Sequence, residues 1–521
     1  MLAAFLASSC ERHAPQSASE SAPNHASQRA PAFEVSEASI PDLQVALQSG
    51  RVTSRTLVDL YLARIQARDP QLHAIIRINP NAQADADRLD IERAAGHVRG
   101  PLHGIPVIIK DNIDVAGLPN TAGSLALAQN VPVRDANLVH QLREGGAIVL
   151  AKANLSEWAN IRSSRSSSGW SAVGGLARNP YALDRTACGS SSGSGVAIAV
   201  SFAPVAVGTE TNGSVTCPSS INGLVGLKPT VGLVSRSGIV PISQSQDTAG
   251  PMARTVQDAA ILLGVMAASD PADSATTGAA GHITDYAKAM DPHSLKGVRL
   301  GVLRFIAGSS PPTDKVFEAA LESLKTQGAE LVDITEFDFT ELRKVTLPLL
   351  LAELKVGLNA YLAGTPAAVK TRTLADVIAF NEAEPREMPW FGQELFLQAE
   401  ATRGLDDPAY IHARDTAQRI ARDGLNRMFR DHQVVALVAP TTGPAWTIDL
   451  INGDHSGGSA TTLPAVAGYP HLTVPMGNVS GLPVGLSFIG PAWSEAKLLS
   501  LGYAFEQATH ARRPPQIAGA K

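Results

Sequence analysis

The strongest limit on the fold is a set of short runs that are apolar at every position rather than at every second one. Residues 106–109, 147–151 and 205–208 are too brief for buried helices, and glycines or helical segments such as 135–144 bound them. A strand without a polar face must be covered on both sides, so these runs belong in a sheet sandwiched between layers of helix. The helices are legible too. Ser39-Ile-Pro-Asp42 has the cap and the proline of a helix start, and residues 54–68 place Leu57, Leu60, Tyr61 and Ile65 on one face.

The alternation resumes after a connector at 267–281 that is rich in Ala, Ser, Asp and Gly. Residues 298–305 and 330–334 read as strands around a helix at 313–327, and 339–432 reads as mostly helical, interrupted near 384–390. Strand-like runs return at 434–439, 472–475 and 484–489, and a helix from Ser494 closes the chain. No internal repeat is present. The expected fold is a single α/β/α sandwich over residues 33–521, with the helical subregion 339–432 lying over the site.

With 44% hydrophobic and 17% charged residues, the 521-residue chain has the balance of a folded globular protein. Its net charge of -5 gives no general attraction to nucleic acid or to anionic membrane. No apolar run in the sequence has the length of a bilayer span, so no transmembrane segment is expected. Cys10, Cys188 and Cys217 cannot build a disulfide framework, and none lies in a Cys-x-x-Cys pair. Zinc, phosphate-loop and dinucleotide motifs are absent. Residues 1–32 read as a leader, apolar and small from Met1 to Ser9, then rich in Ser, Ala, Pro and Gln after Cys10. Two readings of it stay open. One is a partial export signal with a lipid anchor at Cys10 and a periplasmic enzyme; the other is a leader without that role on a cytoplasmic one. The basic region of an export signal is missing.

Chemistry concentrates in three places. Cys188-Gly-Ser-Ser-Ser-Gly-Ser-Gly195 is too small in its side chains to build a core, but it permits close backbone approach just before a helix at 196–201. A flexible linker is the bland alternative, and apolar flanks and short length argue against it. A GxSxG elbow centred on Ser191 is another, but it needs a preceding strand, and residues 179–185 read as turn. Histidines from His282 onward leave that reading open on counting alone. The second place is Gly208-Thr-Glu-Thr-Asn-Gly-Ser214, a polar turn leaving an apolar strand, where consecutive N–H groups can converge on an oxyanion. The third is Lys110, at the end of the apolar run Pro106-Val-Ile-Ile109. A Ser-x-x-Lys pair, Ser494 and Lys497, lacks the companion motifs of penicillin-binding enzymes, and Ser494 reads as a helix cap.

Lys110, then Gly189-Ser-Ser-Ser-Gly193, then Gly213-Ser-Val-Thr-Cys-Pro218 running to Ile221-Asn-Gly-Leu-Val-Gly-Leu-Lys-Pro-Thr230, strongly resembles the amidase signature family. The resemblance extends over residues 36–512 and includes Gln246-Asp-Thr-Ala-Gly-Pro251 and Gly481-Leu-Pro-Val-Gly-Leu486. Asn154-Leu-Ser-Glu-Trp-Ala-Asn160 and Phe391-Gly-Gln-Glu-Leu395 make it most similar to bacterial peptide amidases. The resemblance implies a mixed central sheet and hydrolysis of carboxamides to carboxylate and ammonia. It implies Ser214 as nucleophile, Ser190 as proton relay behind a cis Gly189–Ser190 bond, and Lys110 as a neutral base. The N–H groups of Thr211, Asn212, Gly213 and Ser214 would form the oxyanion hole. No metal, organic cofactor or obligatory partner subunit is implied, and the expected substrates are C-terminal peptide amides. The alternatives within the fold are a general small-amide amidase and one component of a tRNA-dependent amidotransferase. Asn212 stands where the family usually has glycine, Thr216 where it has arginine, and Cys188 where it has glycine. Asp111 raises a question of its own, since a carboxylate near Lys110 would keep it charged; alternation along a strand should aim it at the other face.

Overall fold

The wholly apolar runs form the interior of a large sheet. In the computed structural model, which describes residues 33–516, the strands in chain order are β1 (Ile75–Ile78), β2 (Pro106–Lys110), β3 (Ile148–Ala153), β4 (Trp170–Ser171), β5 (Gly175–Leu176), β6 (Val205–Glu210), β7 (Val225–Lys228), β8 (Thr248–Ala253), β9 (Arg299–Leu303), β10 (Glu330–Ile334), β11 (Ala436–Pro440), β12 (His471–Val479) and β13 (Leu482–Ile489). β4 and β5 make a small ribbon; the rest form one 11-stranded sheet in the order β1-β3-β2-β6-β8-β7-β12-β13-β11-β9-β10. The sheet is mixed. β2 runs parallel to β3 and β6, β9 runs parallel to β10 and β11, and the pairs between β6 and β11 are antiparallel. Every residue of β2, β3, β6 and β8 is buried, as a sheet flanked by helices on both faces requires. Each large aliphatic side chain so covered contributes roughly 1.5–3 kcal/mol.

The helices start where their caps place them. Ser39 and Asp42 close a capping box on Ile40–Gln48, and Thr53 caps Ser54–Leu72, which buries Leu57, Tyr61 and Ile65. The 339–432 region resolves into Thr340–Ala363, Leu374–Ala383, Glu394–Glu400 and Pro408–Asp431. Helix Thr340–Ala363 corrects one expectation: at 24 residues it is long and apolar enough to cross a membrane. Its packing explains that composition. Leu342, Leu349 and Ala352 meet Ala413, Ala417 and Leu425 in one core, while Leu354, Leu358 and Leu362 enter another with Leu374 and Phe396.

Other expectations are corrected as well. Ser494 occupies the N-cap position of helix Glu495–Thr509, but its hydroxyl donates to the Pro491 carbonyl at 2.6 Å rather than capping. Lys497 is exposed, so the Ser-x-x-Lys pair forms no site. The helix placed at 196–201 begins earlier, at Ser192. The reading of residues 1–32, including Cys10, lies outside the described residues.

Candidate active site

Two neighbouring strands, β2 and β6, and the loop before helix Ser192–Ala199 deliver the site. β2 ends in Lys110, whose side chain is wholly buried. Its Nζ reaches Ser190 Oγ at 2.8 Å and Thr209 Oγ1 at 2.8 Å, the latter on neighbouring β6. Burial disfavours the ammonium form and pulls the Lys110 pKa down to about 7, although the carboxylates of Asp247 and Glu210 pull it the other way. Asp111 is not part of this balance. It turns to the opposite face, where Oδ1 pairs with Lys152 Nζ at 2.8 Å and Oδ2 accepts the Thr121 N–H at 3.1 Å. The alternation argument holds.

Ser190 is buried and follows a cis Gly189–Ser190 bond. Its neighbours fasten the Gly/Ser run to β6. Ser191 Oγ bonds the Thr209 carbonyl at 3.1 Å and the Thr209 N–H at 3.2 Å, and Ser194 Oγ bonds the Val207 carbonyl at 3.2 Å. The Ser191 N–H donates to the Ser214 carbonyl at 3.1 Å, which joins the run to the turn that carries Ser214. Ser191 is thus a structural residue, and the segment before it is turn rather than strand, so the GxSxG elbow is not formed.

Ser214 is half-buried in the turn between β6 and helix Thr216–Ile221. Gly213 sits at φ +81, a conformation that favours glycine, and it lets the chain reverse here. Glu210 fixes the far side of the turn by accepting the N–H groups of Val215 at 2.8 Å and Thr216 at 2.9 Å. Among the described residues no protein acceptor takes the N–H groups of Asn212, Gly213 or Ser214. Donors arranged in this way suit a developing oxyanion. The histidines stand apart. His282 stacks on Trp493 at 4.3 Å, and His471 is buried against Ser487 Oγ at 2.6 Å with its pKa pushed down to about 3 by desolvation.

Known proteins resemble this chain in sequence and in fold. The family model described as Amidase matches residues 56–499. The chain belongs to the amidase family. The crystal structure of native peptide amidase from Stenotrophomonas maltophilia superposes with a TM-score of 0.88 at 50% identity, covering 92% of this chain and 99% of that one. A "Probable amidase" of Arabidopsis thaliana is 39% identical over 503 residues, 93% of this chain and 92% of its own length. A glutamyl-tRNA(Gln) amidotransferase component from Roseiflexus sp. (strain RS-1) is 37% identical over 493 residues, 91% of this chain and 97% of its own. This amidase is a hydrolase of carboxamides.

Three features of the site are not legible in the sequence. Thr209 falls within a motif, yet nothing in its spacing marks it as a partner of the Lys110 amine. Asp247 accepts from Thr211 Oγ1 and from the Ile242 and Ser243 N–H groups, the last two at 2.8 Å, and burial pushes its pKa up to about 6. Cys188 and Cys217 form a disulfide, with Cα atoms 6.1 Å apart. Three cysteines allow no framework, and one bridge is not a framework. That a loop and a short helix, with cysteines 29 residues apart, converge is a property of the fold, invisible in the spacing. Among the family departures, the Asn212 side chain accepts from Thr461 Oγ1 at 2.7 Å, and Thr216 Oγ1 donates to Glu210 at 3.1 Å.

Proposed function

We propose that this amidase cleaves C-terminal peptide amides, with Ser214 as nucleophile, Ser190 as proton relay and Lys110 as base. The observation that carries the chemistry is the 2.8 Å contact between Ser190 Oγ and a buried amine whose pKa lies at about 7. Ser214 Oγ attacks the amide carbon and its proton passes through Ser190 Oγ to Lys110 Nζ. The negative oxygen is held by the N–H groups of Thr211, Asn212, Gly213 and Ser214. When the C–N bond breaks, the proton returns through Ser190 to the leaving nitrogen, and ammonia departs. Water then hydrolyses the acyl-enzyme by the same relay in reverse.

The substrate reading rests on a cavity and on a relative. Beside Asn212 lies a space of about 690 Å³, walled by Phe305, Phe337, Phe339, Leu342 and Leu347. That is far larger than acetamide needs and lies in the range of sites for ligands of many heavy atoms. The wall comes from helix Thr340–Ala363 and from aromatics that pack edge-on, Phe337 with Phe339 at 4.8 Å. Phe391, in the interruption of the helical region, lies elsewhere, buried under the Arg162 guanidinium at 4.4 Å and against Trp170. The Stenotrophomonas relative is a peptide amidase at 50% identity. The test compares kcat/KM for a dipeptide amide with that for acetamide or propionamide, using purified chain alone and ammonia release as readout. Equal or faster cleavage of the small amides would sink the substrate reading and leave amide hydrolysis intact. Ammonia release only on addition of partner subunits would favour the amidotransferase alternative.

A further inference from the structure

The Gly/Ser run and the segment that carries Ser214 are tied together twice. On the C-terminal side of Ser190 the tie is the Ser191 N–H to Ser214 carbonyl bond at 3.1 Å. On the N-terminal side it is covalent. Cys188, two residues before Ser190, is bonded to Cys217, three residues after Ser214. Cys188 sits at φ +54, a left-handed conformation uncommon for residues other than glycine, so a side chain is kept there at a backbone cost. The bridge is not a surface staple. Cys188 is 5% exposed and Cys217 7%, and the pair packs against Ile221 and Ala445, with Trp446 and Leu482 over it.

We propose that the Cys188–Cys217 disulfide is a positioning element of the active site: it holds the Ser190 loop against the Ser214 turn, and turnover depends on its being oxidised. The inference rests on the roles of Ser190 and Ser214 proposed above. Opening the bridge takes two electrons and two protons from a dithiol. One thiolate attacks a bridge sulfur to give a mixed disulfide, and the second thiol releases the enzyme with two cysteine thiols and a cyclic oxidised reductant. Hydrogen bonds alone then locate Ser190. A displacement of about 1 Å in a catalytic arrangement costs up to ~100-fold in rate. The reduced enzyme should therefore lose about 10- to 100-fold in kcat, while KM, set by the cavity beside Asn212, changes by less than about threefold.

The experiment has three arms on the full chain. A peptide map of the non-reduced protein should contain the Cys188 and Cys217 peptides linked; free thiols at both positions would overturn the proposal. Dithiothreitol treatment, with complete reduction verified by thiol titration and folding by circular dichroism, should lower kcat, shift the acid limb of the pH profile, and be reversed on reoxidation. Cys188→Gly with Cys217→Ala, in which glycine suits the left-handed backbone, should reproduce the loss and be indifferent to dithiothreitol. If that variant does not fold, reversible reduction of the unmodified enzyme decides. A folded, fully reduced enzyme with kcat within about twofold of the oxidised form would make the bridge a stability device only, and the proposal would fail. Retained activity in Ser214→Ala fails the nucleophile assignment instead, so the two failures are distinguishable.

Discussion

Replacing Lys110 by Met separates the electrostatic role of this residue from its bulk. Methionine keeps most of the length and fills the same apolar slot, but it has no amine to titrate. The Lys110 pKa falls from 10.5 to about 7 on folding, chiefly through desolvation. Between those values the unfolded chain binds the extra proton, so stability rises with pH across that window, and the cost of the buried amine is fully present below pH 7. The difference corresponds to about 5 kcal/mol at pH 6, shrinking to about 2 kcal/mol at pH 9. Against it stand the lost bonds to Ser190 and Thr209, roughly 1 kcal/mol each. Lys110→Met should thus be about 3 kcal/mol more stable than the parent at pH 6 and nearly equal to it at pH 9. Urea unfolding at the two pH values measures this. Activity should meanwhile fall by at least about 1,000-fold, because no other group near Ser190 can take its proton. In the parent enzyme the acid limb of kcat/KM should have its midpoint at about pH 7, where the amine loses its proton. A stability difference independent of pH, or an acid limb far from neutrality, would refute the reasoning.

Ser214→Ala should abolish both turnover and labelling by a fluorophosphonate, and near-normal ammonia release would remove Ser214 as nucleophile. Ser190→Ala should cost at least about 100-fold in kcat, and combining it with Lys110→Met should add little, since the two act as one relay; full additivity would separate their roles. His282→Ala and His293→Ala should leave kcat/KM unchanged, and a collapse in rate with intact folding would revive a histidine-based mechanism. Dialysis against a strong chelator should leave ammonia release unaffected, and loss restored by zinc or magnesium would contradict the side-chain mechanism.

How much the sequence discloses depends on whether a residue's role is local. β2, β3 and β6 are legible because a strand buried on both faces must be apolar throughout. β8 is not, although it lies in the middle of the sheet between β6 and β7. Its sequence, Thr-Ala-Gly-Pro-Met-Ala, carries a proline and a glycine, which normally argue against a central strand. The structure supplies the reason for the glycine: a Cβ at Gly250 would stand 2.0 Å from the Leu227 carbonyl oxygen. Close approach of two backbones selects the residue, and strand propensity does not. The helix starting at Ser192 looks shorter in the sequence for the same reason. Its first turn is glycine and serine, poor helix formers, because a Cβ at Gly193 would lie 2.3 Å from the Ala74 carbonyl and the hydroxyls of Ser191 and Ser194 are taken by β6. Ser190, Ser214 and Lys110 are identifiable through their order and glycine-rich surroundings. Thr209, Asp247 and the disulfide owe their places to the sheet order, which no local pattern encodes.

Three buried lysines show how that order assigns chemistry. Lys152 on β3 lies one strand from Lys110, but it meets the Asp111 carboxylate at 2.8 Å and the Ile113 carbonyl at 2.8 Å. Lys228 on β7 donates to the Pro229 carbonyl at 3.0 Å, and burial lowers its pKa to about 8. Lys110 is the member of the set whose amine faces two hydroxyls. A carbonyl or a carboxylate can only accept from a lysine, whereas a hydroxyl can also give it a proton. The pairing of Asp111 with Lys152 therefore does two things at once. It satisfies one buried ammonium, and by taking the nearest carboxylate to the other face of β2 it removes the group that would most strongly have kept Lys110 charged. Alternation along a single strand separates a structural ion pair from an amine able to act as a base.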